Sequence, residues 1–375
     1  MTAFAAARCR AALLALLAIG LSVFESERTA AQNGPPPLVR SYFRLPAQFD
    51  GHVTALEAME IRPRAPGPYP LVVIAHGTPG SQAQRQQYSV DQYATVAADL
   101  ASGGMVVLAF LRRGYGSSEG PFAESNGPCG QSRYVEVGQE SARDLAEAIR
   151  YMTAQPHVDP RRVIVVGQSA GGFAALALAA APPPGLIGVI DFAGGRGHFS
   201  ERNAVCEPEK LVAAVGAFGR TARVQSLWIY AENDRSFPPS LARAMHAAYV
   251  SAGAPAAFVL TPAFRDDGHR LFIAGIDAWR QQADAFLRGL GLPASPPRPH
   301  HAAPAGLTEQ ARNAFAAYAD ARQPNKAFAL GAGSAFGWRA DAQPIEAVRE
   351  EALAMCQRSG QRCRIVDEVA WLADQ

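Results

Sequence analysis

The sequence predicts an α/β fold, a mostly parallel sheet with helices on both faces, followed by a small C-terminal α+β module. Three observations predict it. Short apolar strands alternate with helical segments over residues 105–288, a Gly-x-Ser-x-Gly box stands between a β-branched run and an alanine-rich helix, and a proline-rich tract separates off a cysteine-containing tail. Short apolar strands joined by helices read as parallel, because a helix-length crossover returns the chain to the same end of the sheet, and their continuous hydrophobicity implies cover on both faces.

The first residues read as an address. Arg8 and Arg10 precede an apolar stretch from Ala11 to Phe24, and a polar segment then leads to Thr29-Ala30-Ala31. This is the pattern of a secretory signal over residues 1–31, with an apolar run too short to span a bilayer comfortably. An uncleaved anchor is the alternative. No cysteine follows the apolar run, so a lipoprotein signal is not supported, and no stable membrane span is expected after cleavage. Cleavage would remove Arg8, Arg10 and Arg28 with Glu25 and Glu27, taking the formal charge from +2 to +1. A near-neutral chain gives no case for nucleic-acid binding. With 375 residues, 49% of them hydrophobic and 18% charged, the chain can bury a large core, and one large domain plus a small one is expected.

Along the chain, residues 32–45 read as a linker containing Pro35 to Pro37, although Arg40 to Leu45 already has strand character, as do His52 to Ile61 and Leu71 to Ala75. A domain is expected over 46–291. Its later elements are a strand at Met105 to Phe110, a helix at Val137 to Thr153, a strand at Val163 to Val166, the alanine-rich helix, and strands at Gly188 to Phe192 and Ser226 to Tyr230. A helix at Leu241 to Ala252, a strand at Ala256 to Leu260 and a helix at Gly275 to Arg288 complete it. Residues 292–306 have linker composition. The module at 307–375 reads as a helix at Leu307 to Ala321, short strands at Ala327 to Leu330 and Ala335 to Arg339, a helix at Ile345 to Arg358 and a strand at Cys363 to Val369.

Cys9 would leave with the signal, and Cys129, Cys206, Cys356 and Cys363 remain. An even number in an exported chain suggests two disulfides, although four cysteines permit three pairings. The expected pairs are Cys356 with Cys363, close in sequence within a module small enough to need a staple, and Cys129 with Cys206. Buried free thiols are the alternative. No metal site is expected, since no C-x-x-C pair occurs and His300-His301 sits in the proline-rich tract. Gly114-x-Gly116 and Gly331-x-Gly333 lack the continuation of a dinucleotide fingerprint, and no cofactor is expected.

The box itself is Gly167-Gln168-Ser169-Ala170-Gly171, with Arg162 to Val166 before it and Gly172 to Ala180 after it. Strand, tight turn and helix in that order make a nucleophile elbow, which holds Ser169 in a strained conformation and needs near side-chain-free residues two before and two after it. Both are glycine. A serine nucleophile needs a base and the base an orienting carboxylate, in this architecture in the chain order Ser, Asp or Glu, His. Asp234, after the strand ending at Tyr230, and His269, in Asp267-Gly268-His269 before a helix, supply that order. Glu232 and Asp191 are rival acids. His246, in a helix, and His157, beside Pro156, read as structural or surface histidines.

Leu71 to Ala75 runs into His76-Gly77-Thr78-Pro79-Gly80, the loop from which the first oxyanion donor is drawn. Thr78 N–H is the choice, with Gly77 as its rival, and Ala170 N–H is the second donor. The His76 ring is read as a brace for the loop. Tyr115, in the glycine-punctuated loop Arg112 to Gly120, is either a donor to the oxyanion or substrate, or a packed aromatic.

With these residues in place, the sequence resembles the α/β-hydrolase superfamily, and within it the dienelactone-hydrolase-like and prolyl-oligopeptidase-like serine hydrolases. The similarity covers about residues 46 to 291 and rests on His76 to Gly80, Arg113-Gly114-Tyr115-Gly116, Gly167 to Gly172, Asn233-Asp234 and Asp267-Gly268-His269. It implies an α/β-hydrolase fold and hydrolysis of an ester, thioester or amide through an acyl-enzyme. Dienelactone hydrolases proper carry a cysteine nucleophile, and Ser169 departs from that. Segments 122–133 and 194–218 are the expected insertions over the site, where such families vary, and a Cys129 to Cys206 bridge would join them into one lid. His198 and Arg196 are candidate substrate contacts, with a surface role as the alternative. The expected substrate is a small-molecule ester. A short peptide, cleaved by prolyl-oligopeptidase-like chemistry, is the second reading, and a non-catalytic binding protein on the same fold is the third.

Overall fold

A computed structural model describes residues 36–197, 205–296, 300–333 and 335–375. The expected signal segment and His198 lie outside the described residues. Residues 36–295 and 303–375 form one unit, built on a nine-stranded sheet ordered β12-β1-β2-β4-β3-β5-β6-β7-β8. Its strands are β1 (Leu38–Phe49), β2 (His52–Pro63), β3 (Tyr69–Ala75), β4 (Val106–Phe110), β5 (Val158–Gln168), β6 (Leu186–Phe192), β7 (Gln225–Ala231), β8 (Ala256–Thr261) and β12 (Leu372–Asp374). From β4 to β8 every neighbour is parallel, while β2 is antiparallel to both β1 and β4.

The inner runs Leu71–Ala75 of β3, Val106–Phe110 of β4 and Val163–Val166 of β5 are apolar because both faces are covered. Leu71, Val73 and Ala75 of β3, with Val163 and Val165 of β5, join one core with Phe173, Phe218 and Trp228. Their neighbours Val72, Ile74, Ile164 and Val166 point the other way, into a second core with Tyr93, Phe272 and Trp279. Alternation across the pleat turns one apolar run into two cores. The covering helices are α1 (Ala94–Ala101), α2 (Tyr134–Thr153), α3 (Ala170–Ala179), α4 (Pro208–Gly219), α5 (Pro239–Ser251) and α6 (Ile276–Gly289). The sequence reading missed α1 and α4. The first is a short alanine-rich run whose polar stripe is reduced to Thr95 and Asp99. The second lies in the stretch expected to be an insertion, although Pro208 at its first turn is a helix-start signal.

Residues 307–375 supply α7 (Glu309–Asp320), α8 (Ile345–Gln357) and a three-stranded sheet ordered β10-β9-β11, from β9 (Asn325–Gly331), β10 (Phe336–Asp341) and β11 (Cys363–Ala370). The chain then enters the large sheet, where β12 pairs parallel with β1. β1 begins at Leu38, so the strand character read at Arg40 to Leu45 prevails over the linker reading of the same residues.

The site-bearing loops follow from the topology. β4 lies on one side of β3 and β5 on the other, so the chain reverses its direction of winding there. A crevice opens at such a switch point, beyond the C-terminal ends of the strands. The loops after β3, β5, β7 and β8 carry Thr78, Ser169, Asp234 and His269 to that edge.

Candidate active site

Ser169 joins β5 to α3 with φ 56° and ψ −121°. A conformation of this kind costs on the order of 1–3 kcal/mol and persists only where its surroundings fix it. Three backbone hydrogen bonds do so: Ser169 N–H donates to the Phe192 carbonyl at 2.9 Å, while Gly195 and Phe173 N–H both donate to the Ser169 carbonyl at 3.1 Å. The flanking glycines are required by space. A Cβ on Gly171 would lie 1.9 Å from the Ala75 carbonyl oxygen, and one on Gly167 would lie 2.4 Å from that of Gly171. The Ser169 hydroxyl has no hydrogen-bond partner among the described residues and lines a cavity of about 340 Å³.

Asp234 and His269 meet. The Asp234 carboxylate is buried, its Oδ1 accepting the Ser236 and Phe237 N–H groups at 2.8 Å each and its Oδ2 lying 3.2 Å from His269 Nδ1. This arrangement puts the Nδ1 proton toward the carboxylate and leaves Nε2 as the basic nitrogen. Three hydrogen bonds fix the histidine loop. Asp267 Oδ1 accepts N–H groups from both Arg235 and His269, and Gln168 Nε2 donates to the His269 carbonyl at 3.3 Å, which ties the histidine loop to the residue before Ser169. The Phe237 ring flanks the imidazole at 5.6 Å between centroids.

The rival groups are engaged elsewhere. Asp191 is buried against Tyr230 and the Gly194 backbone, and burial pushes its carboxyl up to about 8 against the lowering effect of those hydrogen bonds. Glu232 is exposed. His157 pairs with Glu60 at 2.8 Å, and His246 bonds to the Ala256 carbonyl.

On the opposite wall, the loop after β3 passes close to the serine, since a Cβ on Gly77 would lie 3.3 Å from Ser169 Cβ. Thr78 and Ala170 line the cavity with Ser169. His76 braces that loop: Nδ1 donates to the Gly77 carbonyl at 2.7 Å and Nε2 accepts the Arg112 N–H at 3.0 Å. Accepting at one nitrogen and donating at the other requires the neutral ring, and burial, aided by the Arg112 charge, holds its pKa well below the ordinary value. Tyr115 does not line the cavity. It is fully buried with its hydroxyl between Thr78 Oγ1 at 2.7 Å and Glu124 at 3.0 Å, so it holds the loop that presents Thr78.

Sequence reasoning offered Arg196 as a substrate contact or a surface residue and missed the Arg112–Glu124 pair beneath this wall. Glu124 is buried and accepts from Tyr115, from two nitrogens of Arg112 and from Arg196. Burial alone would raise its carboxyl, but the Arg112 and Arg196 guanidiniums overcome that and hold it far below the usual carboxylate range. Arg196 is therefore not a surface residue. The available signal was Arg112-Arg113 directly after an apolar strand, where two charges with no loop spacer have to find buried partners. A disulfide joins Cys129 to Cys206 with Cα atoms 5.5 Å apart, so the segment carrying Glu124 is fastened to the chain just before α4. Tyr134 Oη adds a bond to the Cys206 carbonyl. A second disulfide joins Cys356 to Cys363.

Among the described residues no group of histidine, cysteine and carboxylate side chains is placed to hold a metal ion, and no helix is long and apolar enough to cross a membrane. A family model described as serine aminopeptidase, S33, matches residues 68–195. A probable dipeptidyl-aminopeptidase B of Paracoccidioides lutzii is 33% identical over 108 residues, which are 29% of this chain and 11% of the fungal protein. An uncharacterized protein of Mycobacterium tuberculosis is 29% identical over 194 residues, 48% of this chain and 60% of that one. The chain thus spans less than two thirds of the length of either relative. Among solved structures, a putative dienelactone hydrolase from Klebsiella pneumoniae aligns with a TM-score of 0.48 at 16% identity, over 68% of this chain and 98% of its own.

Proposed function

We propose that this chain, a member of the α/β-hydrolase superfamily, is an exported serine hydrolase that cleaves small carboxylic esters through an acyl-enzyme. The observation that carries the reading is the Asp234–His269 pair, tied through Gln168 to a serine held in a strained turn. In this mechanism His269 Nε2 takes the Ser169 proton as Oγ attacks the ester carbonyl. The Thr78 and Ala170 N–H groups receive the oxyanion at the start of α3, where the helix dipole favours negative charge. His269 then returns the proton to the leaving alcohol, and the same base activates water to release the acid. The Asp234 carboxylate steadies the imidazolium.

Export is taken from the basic and apolar pattern of residues 1–31, which would leave a hydrolase domain at 46–291 and a tail domain at 307–375. The two disulfides are in keeping with an extracellular setting.

The family match and the fungal relative's name raise a peptidase as the second reading. Charge favours the ester. An aminopeptidase must seat a substrate ammonium, and Glu124, the carboxylate among the described lining residues, is already neutralised by two guanidiniums.

The test is labelling of the protein with a fluorophosphonate, followed by turnover of p-nitrophenyl esters beside aminoacyl amides. Labelling at Ser169, ester turnover and loss of both in Ser169→Ala are expected. Full turnover by that variant would overturn the assignment, amides cleaved faster than esters would favour the peptidase, and a folded protein inert to every serine-directed probe would favour a binding role.

A further inference from the structure

The loop after β3 is anchored by a chain of hydroxyls whose direction is fixed at one end. Glu124 is buried, and two nitrogens of Arg112 and one of Arg196 hold it as a carboxylate. An ionised carboxylate only accepts. Tyr115 Oη therefore donates its single proton to Glu124 at 3.0 Å and has only lone pairs left for its other neighbour, Thr78 Oγ1, at 2.7 Å. The Thr78 hydroxyl proton is thus committed to Tyr115, which is fully buried and lies outside the cavity lining. The ring that receives it is clamped, packing edge-on against His76 at 4.5 Å and Phe122 at 5.6 Å between centroids. The backbone of Thr78 is in the opposite state. Its N–H has no hydrogen-bond partner among the described residues, Pro79 after it restricts its conformation, and Thr78 stands in the cavity lining with Ser169.

We propose that Tyr115 is a positioning residue for the oxyanion hole: it takes the Thr78 hydroxyl out of the reaction and sets the loop so that the Thr78 N–H, and not the side chain, meets the oxyanion. Segment 122–133 then does more than cover the site, because its Glu124 fixes the far end of the relay. The other use of Thr78, as a hydroxyl donor to the oxyanion, needs the proton already given to Tyr115, and releasing it would break a buried hydrogen bond. The inference rests on the serine-hydrolase reading and assigns how the first donor of that site is held.

Single and double variants test it on p-nitrophenyl acetate. Acylation and deacylation both pass through an oxyanion, so a displaced donor lowers kcat and leaves KM nearly unchanged. Tyr115→Phe keeps the packed ring and removes the relay; Thr78→Val keeps the N–H and removes the hydroxyl. Each should lower kcat about tenfold, the double variant should lose no more than either alone, and Thr78→Ser, which keeps a hydroxyl, should regain part of the Thr78→Val loss. Affinity for a trifluoromethyl ketone should weaken by the same factor as kcat, since Ser169 Oγ adds to its carbonyl carbon, the carbonyl oxygen becomes the alkoxide and the serine proton passes to His269. Circular dichroism reports whether each variant is folded, and either single variant tests the relay by itself should the other fail to fold. A Thr78→Val loss of a hundredfold or more with Tyr115→Phe as fast as the wild type would show that the hydroxyl itself serves the oxyanion, and losses that multiply in the double variant would show two unconnected roles. Both results overturn the inference and leave the hydrolase reading intact, as does an unchanged kcat in both single variants. No fluorophosphonate labelling and no turnover of any ester by the wild type overturns the hydrolase reading instead.

Discussion

The Asp234 carboxylate spends one oxygen on two backbone N–H groups and the other on His269. Asp234→Asn keeps the size but can present an amide N–H to the ring, so the imidazole is turned to the wrong tautomer. A fall in kcat by about four orders of magnitude is expected for an ester substrate, with the fold unchanged by circular dichroism. Asp191 shows the opposite economy. It sits against Gly172 and Gly194, where any Cβ would collide with its Oδ1, and burial raises its carboxyl to about 8. Between the ordinary carboxylate range and about 8 the folded state holds a proton that the unfolded chain has released, so this group makes stability fall as pH rises through that window. Asp191→Asn removes the titration, and denaturant midpoints of the variant should therefore lose less than those of the wild type on going from pH 5 to pH 8. An identical pH slope in both proteins would contradict the assignment.

At the scale of elements, the two disulfides have unequal work. Cys129–Cys206 closes a separation of 77 residues and fastens the Glu124 segment beside the cavity, whereas Cys356–Cys363 closes only 7 residues within the tail. Loop-closure entropy in the unfolded chain grows with the length closed. The double variant Cys129→Ser/Cys206→Ser should lose about 2–4 kcal/mol in chemical denaturation, and Cys356→Ser/Cys363→Ser clearly less. Equal losses would show that the longer bridge acts through something other than chain entropy.

At the scale of the whole molecule, the last residues close the far edge of the sheet. β12 lies against β1, Arg40 binds Asp374 at 2.6 Å and the Ala342 carbonyl at 2.8 Å, and the Asn325 side chain bonds to both backbone groups of Leu372. Deleting residues 372–375 removes the Asp374 partner of buried Arg40 and the Leu372 partner of buried Asn325. A loss of about 1–3 kcal/mol is expected, read as a lower unfolding midpoint. Fluorophosphonate labelling of Ser169 should survive, because β1, β2, β4 and β3 stand between β12 and the strand that carries the serine. A protein that keeps its midpoint would show the strand to be ornamental to stability.

The strand and helix pattern, the Ser169 elbow and the pairing of Asp234 with His269 were legible in the sequence, because each rests on local periodicity, a glycine requirement or chain order. Gly167 and Gly171 had to be small for reasons the strand–turn–helix order alone supplies. The meeting of Arg112, Glu124 and Arg196 was not legible. Nothing in chain spacing says that two guanidiniums, one from each side of an inserted segment, will share a single carboxylate. β12 was equally hidden, since three residues carry no periodicity and become a strand only when β1 offers them unpaired backbone groups. Local chemistry thus set which elements form and which serine is strained, whereas only the folded chain could decide which charges are buried together, because burial depends on what every other segment brings to the same place.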